Sequence, residues 1–124
     1  MSLFNWYTKQ TKYKESDRCK KYEDYIYLFY SKDSKMYKVG ISKDPHERLH
    51  RISLQSGMRI DLVMSLKLQY EYDESARYIE KKIHEYYKED RVFGEWFKFS
   101  KYQLSSIRHL LYEIEGEEII DNFK

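Results

Sequence analysis

The sequence predicts an α+β fold, a small antiparallel sheet covered by helices. Three observations lead there. The stretch Asp24 to Ser42 reads as a tight β-hairpin, because Tyr25-Ile26-Tyr27-Leu28-Phe29-Tyr30 and Met36-Tyr37-Lys38-Val39-Gly40-Ile41 are rich in β-branched, aromatic and aliphatic residues around the polar turn Lys32-Asp33-Ser34-Lys35. Later segments place apolar residues at helical spacing between recognisable caps. The resulting order, β-β-α-β-α-β-α, brings a hairpin first and helices after it, which is the pattern of an antiparallel sheet with helices packed on it.

The elements follow in turn. Residues 1–22 show no clear period. Leu3, Phe4, Trp6 and Tyr7 could cap the domain or lie on a partner, and Thr11 to Lys21 reads as a short helix or a mobile arm. After the hairpin, Asp44-Pro45 supplies an N-cap followed by proline at the first helical position. Leu49, Ile52 and Leu54 give that helix an inner face, and Ser56-Gly57 closes it. Arg59 to Leu68 alternates, so Ile60, Leu62, Met64, Leu66 and Leu68 are expected on one face of a third strand. A second helix is expected from Tyr72-Asp73-Glu74 to about Glu89, with Ala76, Ile79, Ile83 and Tyr86 or Tyr87 turned inward. Arg91 to Gly94 reads as a turn and Glu95 to Phe99 as a short strand. A last helix starts at Ser100 or Lys101 and buries Leu104, Ile107, Leu110, Leu111 and Ile114. Gly116 ends it, and the following acidic tail is expected to fray.

Composition bounds the class. At 124 residues, 41% hydrophobic and 35% charged, the chain suits one globular domain with a modest core. The net charge of +2 does not by itself imply nucleic acid. Its distribution is uneven: residues 1–22 hold six Lys/Arg and two acids, and residues 113–124 hold five acids and one Lys. A basic head and an acidic tail could serve a polyanionic partner or be two solvated ends. Cys19 is the single cysteine, which excludes an internal disulfide and fits a reducing compartment. With no run of 18 apolar residues and no signal-like apolar segment, a cytoplasmic protein without a membrane partner is expected. Tyrosine is abundant, 14 of 124; its flat body and polar tip suit both a small core and stacking on bases.

Five polar groups stand out: Tyr27, Lys38, Arg48, Glu80 and His84. Tyr25 and Tyr27 point the same way on the first strand, and Lys38 lies on its neighbour. Gly40 admits a close approach to the backbone or relieves crowding. Glu80 and His84 stand four apart on one helix face. A phenol or amine, an arginine and a carboxylate are the groups that phosphodiester hydrolysis uses. The carboxylate suits a hard divalent cation, the arginine matches developing phosphate charge, and the phenol or amine can assist deprotonation of water.

In order and spacing these residues resemble the GIY-YIG nuclease superfamily, and more narrowly its small phage, bacterial and large-DNA-virus branch. The motifs are Tyr25-Ile26-Tyr27, Lys38-Val39-Gly40 with Ile41-Ser42, Asp44-Pro45-His46-Glu47-Arg48-Leu49, Ala76-Arg77-Tyr78-Ile79-Glu80 with His84, and Arg91-Val92-Phe93-Gly94-Glu95-Trp96-Phe97. The resemblance covers about Asp24 to Ser100. It implies a three-stranded antiparallel sheet flanked by helices, one divalent metal (Mg²⁺ or Mn²⁺) on Glu80, and hydrolysis of DNA. Arg48 falls on the helix arginine and Tyr27 on the tyrosine that helps activate water. His84 matches the branch pattern, as an extra catalytic group or as a structural histidine. The chain departs from the pattern at three points. Tyr25 replaces the first glycine, Lys38 stands where the second tyrosine would be, and Glu95-Trp96-Phe97 occupies the region of a late asparagine. Trp96 and Phe97 are expected to anchor the core, and His46 and His50 to lie on the surface.

The resulting expectation has three parts: a basic N-terminal extension (1–22), a GIY-YIG-like nuclease domain (23–100), and a C-terminal helix with an acidic tail (101–124). The function expected is a metal-dependent DNA endonuclease. Its DNA contacts would come from Tyr25, Lys38, Arg48, Lys20 and Lys21, and a homodimer would supply a second cut. The alternative is a module that keeps the fold without catalysis and binds nucleic acid, a small ligand or a host protein.

Overall fold

A computed structural model describes residues 25–68, 75–114 and 116–123. The elements are β1 (Tyr25–Ser31), β2 (Met36–Ser42), α1 (Pro45–Ser56), β3 (Ile60–Leu68), α2 (Ser75–Tyr86), β4 (Arg91–Phe93), β5 (Trp96–Phe97), α3 (Lys101–Glu113) and β6 (Gly116–Asp121), with a 3₁₀ turn at Lys88–Asp90. One sheet runs β4-β5-β2-β1-β3-β6, and each pairing is antiparallel. The α+β class is as expected. The expected count of three strands is too low: β2, β1 and β3 form the centre, and β5, β4 and β6 extend it at both edges. β4 lies where the sequence suggests a turn and β6 where it suggests a fraying tail. Both take their shape from a neighbouring strand, which local residue preference does not register.

The hairpin forms for local reasons. Lys35 adopts φ 58° and its amide bonds to Ser31 O at 2.8 Å. Asp33 ties the turn to the start of β3 through the Arg59 amide (2.7 Å) and guanidinium (3.1 Å). The helix caps also match their sequence signals. Asp44 accepts from the Glu47 amide, Pro45 opens α1, and Gly57 closes it at φ 71°. Ser100 and Gln103 form a reciprocal capping box on α3.

Each face of the sheet has its own apolar layer. On the front, Tyr27, Phe29, Met36, Ile60 and Trp96 are buried beneath Leu49 and Ile52 of α1. On the back, Ile26, Leu28, Val39, Met64 and Phe97 pack against Ile79 and Ile83 of α2 and Ile107, Leu110 and Leu111 of α3. Trp96 and Phe97 are core anchors as expected, one on each face.

Several sequence expectations need correction. Ile60, Leu62, Met64, Leu66 and Leu68 do not share a face. The β1–β3 register shifts between Leu28 and Phe29: Leu28 pairs with Met64 and Phe29 with Leu62, so Val63 is an extra residue. A bulge of this kind reverses the alternation. Ile60 and Leu62 therefore pack in front, and Met64, Leu66 and Leu68 behind. Leu54, expected inward, is 71% exposed; at about 100° per residue it stands on the face of α1 opposite Leu49 and Ile52, the two residues that pack on the front layer. Helix α2 ends at Tyr86, short of Glu89, and of the two adjacent tyrosines Tyr87 is buried and Tyr86 exposed. The basic extension with Lys20 and Lys21, and the expected helix start at residues 72–74, lie outside the described residues. Among the described residues no helix is long and apolar enough to cross a membrane.

Candidate functional site

The front of the sheet gathers most of the polar candidates. Tyr27 on β1 pairs with Gly40 on β2, and Phe29 pairs with Lys38, which in turn pairs with Trp96 on β5. Directly paired residues share a face, so the Tyr27 ring, the Lys38 side chain and the open space above Gly40 are all in front. The Tyr27 ring stacks on Phe29 with centroids 3.9 Å apart and is 1% exposed. Its phenol end lies over Gly40. A Cβ at that position would collide with Oη and stand 2.5 Å from Cζ. The glycine expected to give clearance beside the second strand therefore clears one particular group, the Tyr27 hydroxyl.

Arg48 reaches the same point from the second turn of α1. Its guanidinium lies close enough to Tyr27 to favour the phenolate, yet no hydrogen bond of good geometry joins them. Tyr27 Oη and Arg48 Nε are both buried without a hydrogen-bond partner. Buried polar groups are nearly always paired, so two such atoms on neighbouring side chains mark this spot as unusual. Burial pushes the phenol pKa strongly up. The Glu95 carboxylate pushes it the same way, Arg48 partly opposes them, and Glu80 adds a smaller upward push. Three charged groups from three elements thus act on one hydroxyl, and that hydroxyl stays protonated through the physiological range.

Lys38 is committed to a partner. Its Nζ lies 2.8 Å from Glu95 Oε2 and 5.7 Å from the centre of the Trp96 ring, and its side chain is only 15% exposed. Glu95 sits in the tight turn between β4 and β5, where Gly94 takes φ 52°. Nothing local in the sequence gives Glu95 a role. Its position in the region of the missing asparagine was the available signal, but no local pattern shows a turn carboxylate folding back on a strand lysine 57 positions away.

The remaining candidates divide. Glu80 on α2 is half-buried, and its charge is felt at Tyr27. His84, one turn later on the same helix, places Nε2 at 2.8 Å from the Val39 carbonyl and its ring edge-on to Phe97 at 5.0 Å. Tyr25 lies at the start of β1, half-buried, with Lys67 Nζ 5.9 Å from its ring. His46 and His50 are exposed on α1. A hollow of about 1100 Å³ lies at the Tyr30–Tyr37 end of the hairpin beside Lys101 and Arg108, and none of the five candidates lines it.

The donor set bears on metal binding. Among the described residues no group of three or more His, Cys, Asp and Glu could enclose an ion. A magnesium-type site often uses only one or two carboxylates and completes its shell with water and substrate phosphate. Glu80, with Glu95 acting on the same phenol, fits that open kind of site and does not fit a closed protein cage.

Fold and site together define a small α+β domain with a polar cluster on the helix-covered front of an antiparallel sheet. The chain belongs to the T5orf172 domain family, whose model matches residues 24–112. That domain occurs in phage and bacterial proteins, and the family matched is not the GIY-YIG nuclease family itself. No curated protein and no solved structure matches the chain.

Proposed function

We propose that this chain is a metal-dependent endonuclease of GIY-YIG type that hydrolyses DNA phosphodiester bonds at a single-metal site. The observation that carries the reading is the convergence on Tyr27. A buried phenol without a hydrogen-bond partner lies near the Arg48 guanidinium, whose Nε is likewise buried and unpartnered, within the field of two carboxylates.

In this reading Arg48 binds a non-bridging phosphate oxygen and matches the charge that grows there during hydrolysis. Tyr27, held protonated, donates a hydrogen bond to water or phosphate and orients it. Lys38 adds positive charge at the rim through a side chain already fixed by Glu95 and Trp96. Glu80 would hold the divalent ion, with Glu95 near enough to tune the site. A bound Mg²⁺ or Mn²⁺ would supply charge neutralisation at the scissile phosphate. One site cuts one strand, so a double-strand break calls for a second copy or a second event.

The test uses supercoiled plasmid with Mg²⁺ or Mn²⁺. The protein nicks it, and Glu80→Ala and Arg48→Ala abolish nicking. Equal nicking by all three proteins, or none by any, would sink the assignment. A second reading, a module that binds without cutting, is favoured by one observation: the lysine that would meet phosphate is paired with Glu95. It is supported if plasmid is bound but remains supercoiled.

A further inference from the structure

The back of the sheet carries a second connection to the site, through a single residue of β2. Strand β5 is two residues long and pairs with Tyr37 and Lys38 only. At Val39 the outer edge of β2 therefore runs out of strand partner. The Val39 amide still finds the Glu95 carbonyl at 3.2 Å. The Val39 carbonyl is taken by His84 Nε2 at 2.8 Å. A carbonyl only accepts, so that nitrogen carries a hydrogen. It is consequently the wrong nitrogen to remove a proton from water. The ring is also held edge-on by Phe97, which is fully buried.

Val39 lies between Lys38 and Gly40, and Glu80 lies one helical turn before His84. Three of the elements that bear site residues meet at Val39: β2 with Lys38 and Gly40, the β4–β5 turn with Glu95, and α2 with Glu80.

We infer that His84 is a positioning residue: its Nε2–H bond to the Val39 carbonyl fixes the helix that carries Glu80 against the strand that carries Lys38 and Gly40. The inference rests on the nuclease reading for its activity readout and on nothing beyond the geometry for its spectroscopic one. Glutamine can place its amide nitrogen where histidine places Nε2, whereas asparagine falls short and alanine has no donor. A positioning role predicts that His84→Gln keeps most of the nicking rate, with the pH–rate profile of the wild type. His84→Ala and His84→Asn lose about a hundredfold in kcat, the scale of a small misplacement of a reacting group, with little change in KM for plasmid.

Two measurements are independent of cleavage. Nitrogen-15 spectra of the His84 ring report hydrogen on Nε2, and exchange of the Val39 amide is about tenfold faster in His84→Ala and restored in His84→Gln. The amides in the Tyr30–Tyr37 part of the hairpin stay protected throughout, which separates local loosening from unfolding. The inference is overturned if the ring carries hydrogen on Nδ1 alone, if Val39 exchange is the same in all variants, or if His84→Gln is as inactive as His84→Ala and loses one limb of the pH profile. If no protein nicks plasmid, the nuclease reading fails, and the two spectroscopic measurements still decide the role of His84.

Discussion

Replacing Gly40 with alanine tests the site through its tightest contact. The added methyl would collide with Tyr27 Oη and lie 2.5 Å from Cζ and 3.0 Å from Cε1. The ring has little room to retreat, being stacked on Phe29 at 3.9 Å and 1% exposed. Forcing a methyl into such packing costs about 1–3 kcal/mol. Alanine also restricts the unfolded chain, which returns about 0.4–1 kcal/mol. The net expected loss is about 1–2 kcal/mol, or about 4–8 °C in Tm for a domain of this size. Thermal melting of Gly40→Ala against wild type measures it. A double-mutant cycle identifies the cause: in a Tyr27→Ala background the obstacle is gone, so the same Gly40 substitution costs little. Equal losses in both backgrounds, or an unchanged Tm in the first, would refute the reasoning. Nicking by Gly40→Ala should fall as well, because any relief of the clash displaces the phenol from its place in the cluster.

Other substitutions separate stability from function. Tyr27→Phe deletes a buried hydroxyl that has no partner, so denaturant unfolding should show unchanged or slightly higher stability, by up to about 1 kcal/mol, while plasmid nicking is lost. Glu95→Gln releases Lys38 from its ion pair. Anisotropy with labelled duplex DNA in the absence of divalent ions should show severalfold tighter binding, corresponding to about 0.5–1 kcal/mol, and unchanged binding would remove the competition between Glu95 and phosphate. Burial raises the Asp121 pKa, but hydrogen bonds from Tyr112 Oη, the Phe123 amide and Arg108 outweigh that and hold it below its ordinary 3.8. A depressed carboxylate stabilises the fold above its unfolded pKa. Its contribution is thus present at neutral pH and disappears as pH falls below about 4. Asp121→Ala should cost about 1–3 kcal/mol at pH 7, with the gap to wild type narrowing in acid denaturation curves taken towards pH 3.

The parts of this molecule legible in its sequence are those decided by neighbouring residues. The Lys32–Lys35 turn, the Asp44-Pro45 and Gly57 ends of α1 and the Ser100 cap of α3 all follow from local geometry, and each stands where the sequence puts it. What escaped depends on partners far away. The extra residue at Val63 reverses the facing of half of β3, and alternation alone gives no sign of it. Leu54 is a different case: it is apolar, but the helical turn of about 100° per residue carries it to the outer face, away from Leu49 and Ile52. The polar cluster around Tyr27 is partly legible. Tyr27, Arg48 and Glu80 were picked out by residue type and order, and their charges meet at the phenol. Glu95 is silent in the sequence, because its partner Lys38 lies 57 positions away. For His84, the sequence left open a catalytic or a structural role, since a histidine four residues from a glutamate looks the same in either. The Val39 carbonyl, a backbone group with no residue signature, distinguishes the two.

The strand β6 gives the acidic end of the chain a protective task. It pairs along β3 from Met64 to Leu68, and Asn122 extends the contact to the Val63 carbonyl at 2.8 Å. Without it, a nine-residue strand rich in isoleucine, leucine, valine and methionine would present a bare row of amides and carbonyls to other molecules. The match to the family ends at residue 112, before β6 begins. A fragment trimmed to that boundary keeps the entire front cluster and exposes the edge of β3. Such a fragment should aggregate where the full chain stays dispersed, and light scattering of the two preparations at equal concentration would show it. The residues that look most dispensable at the end of this sequence decide whether its sheet stops growing.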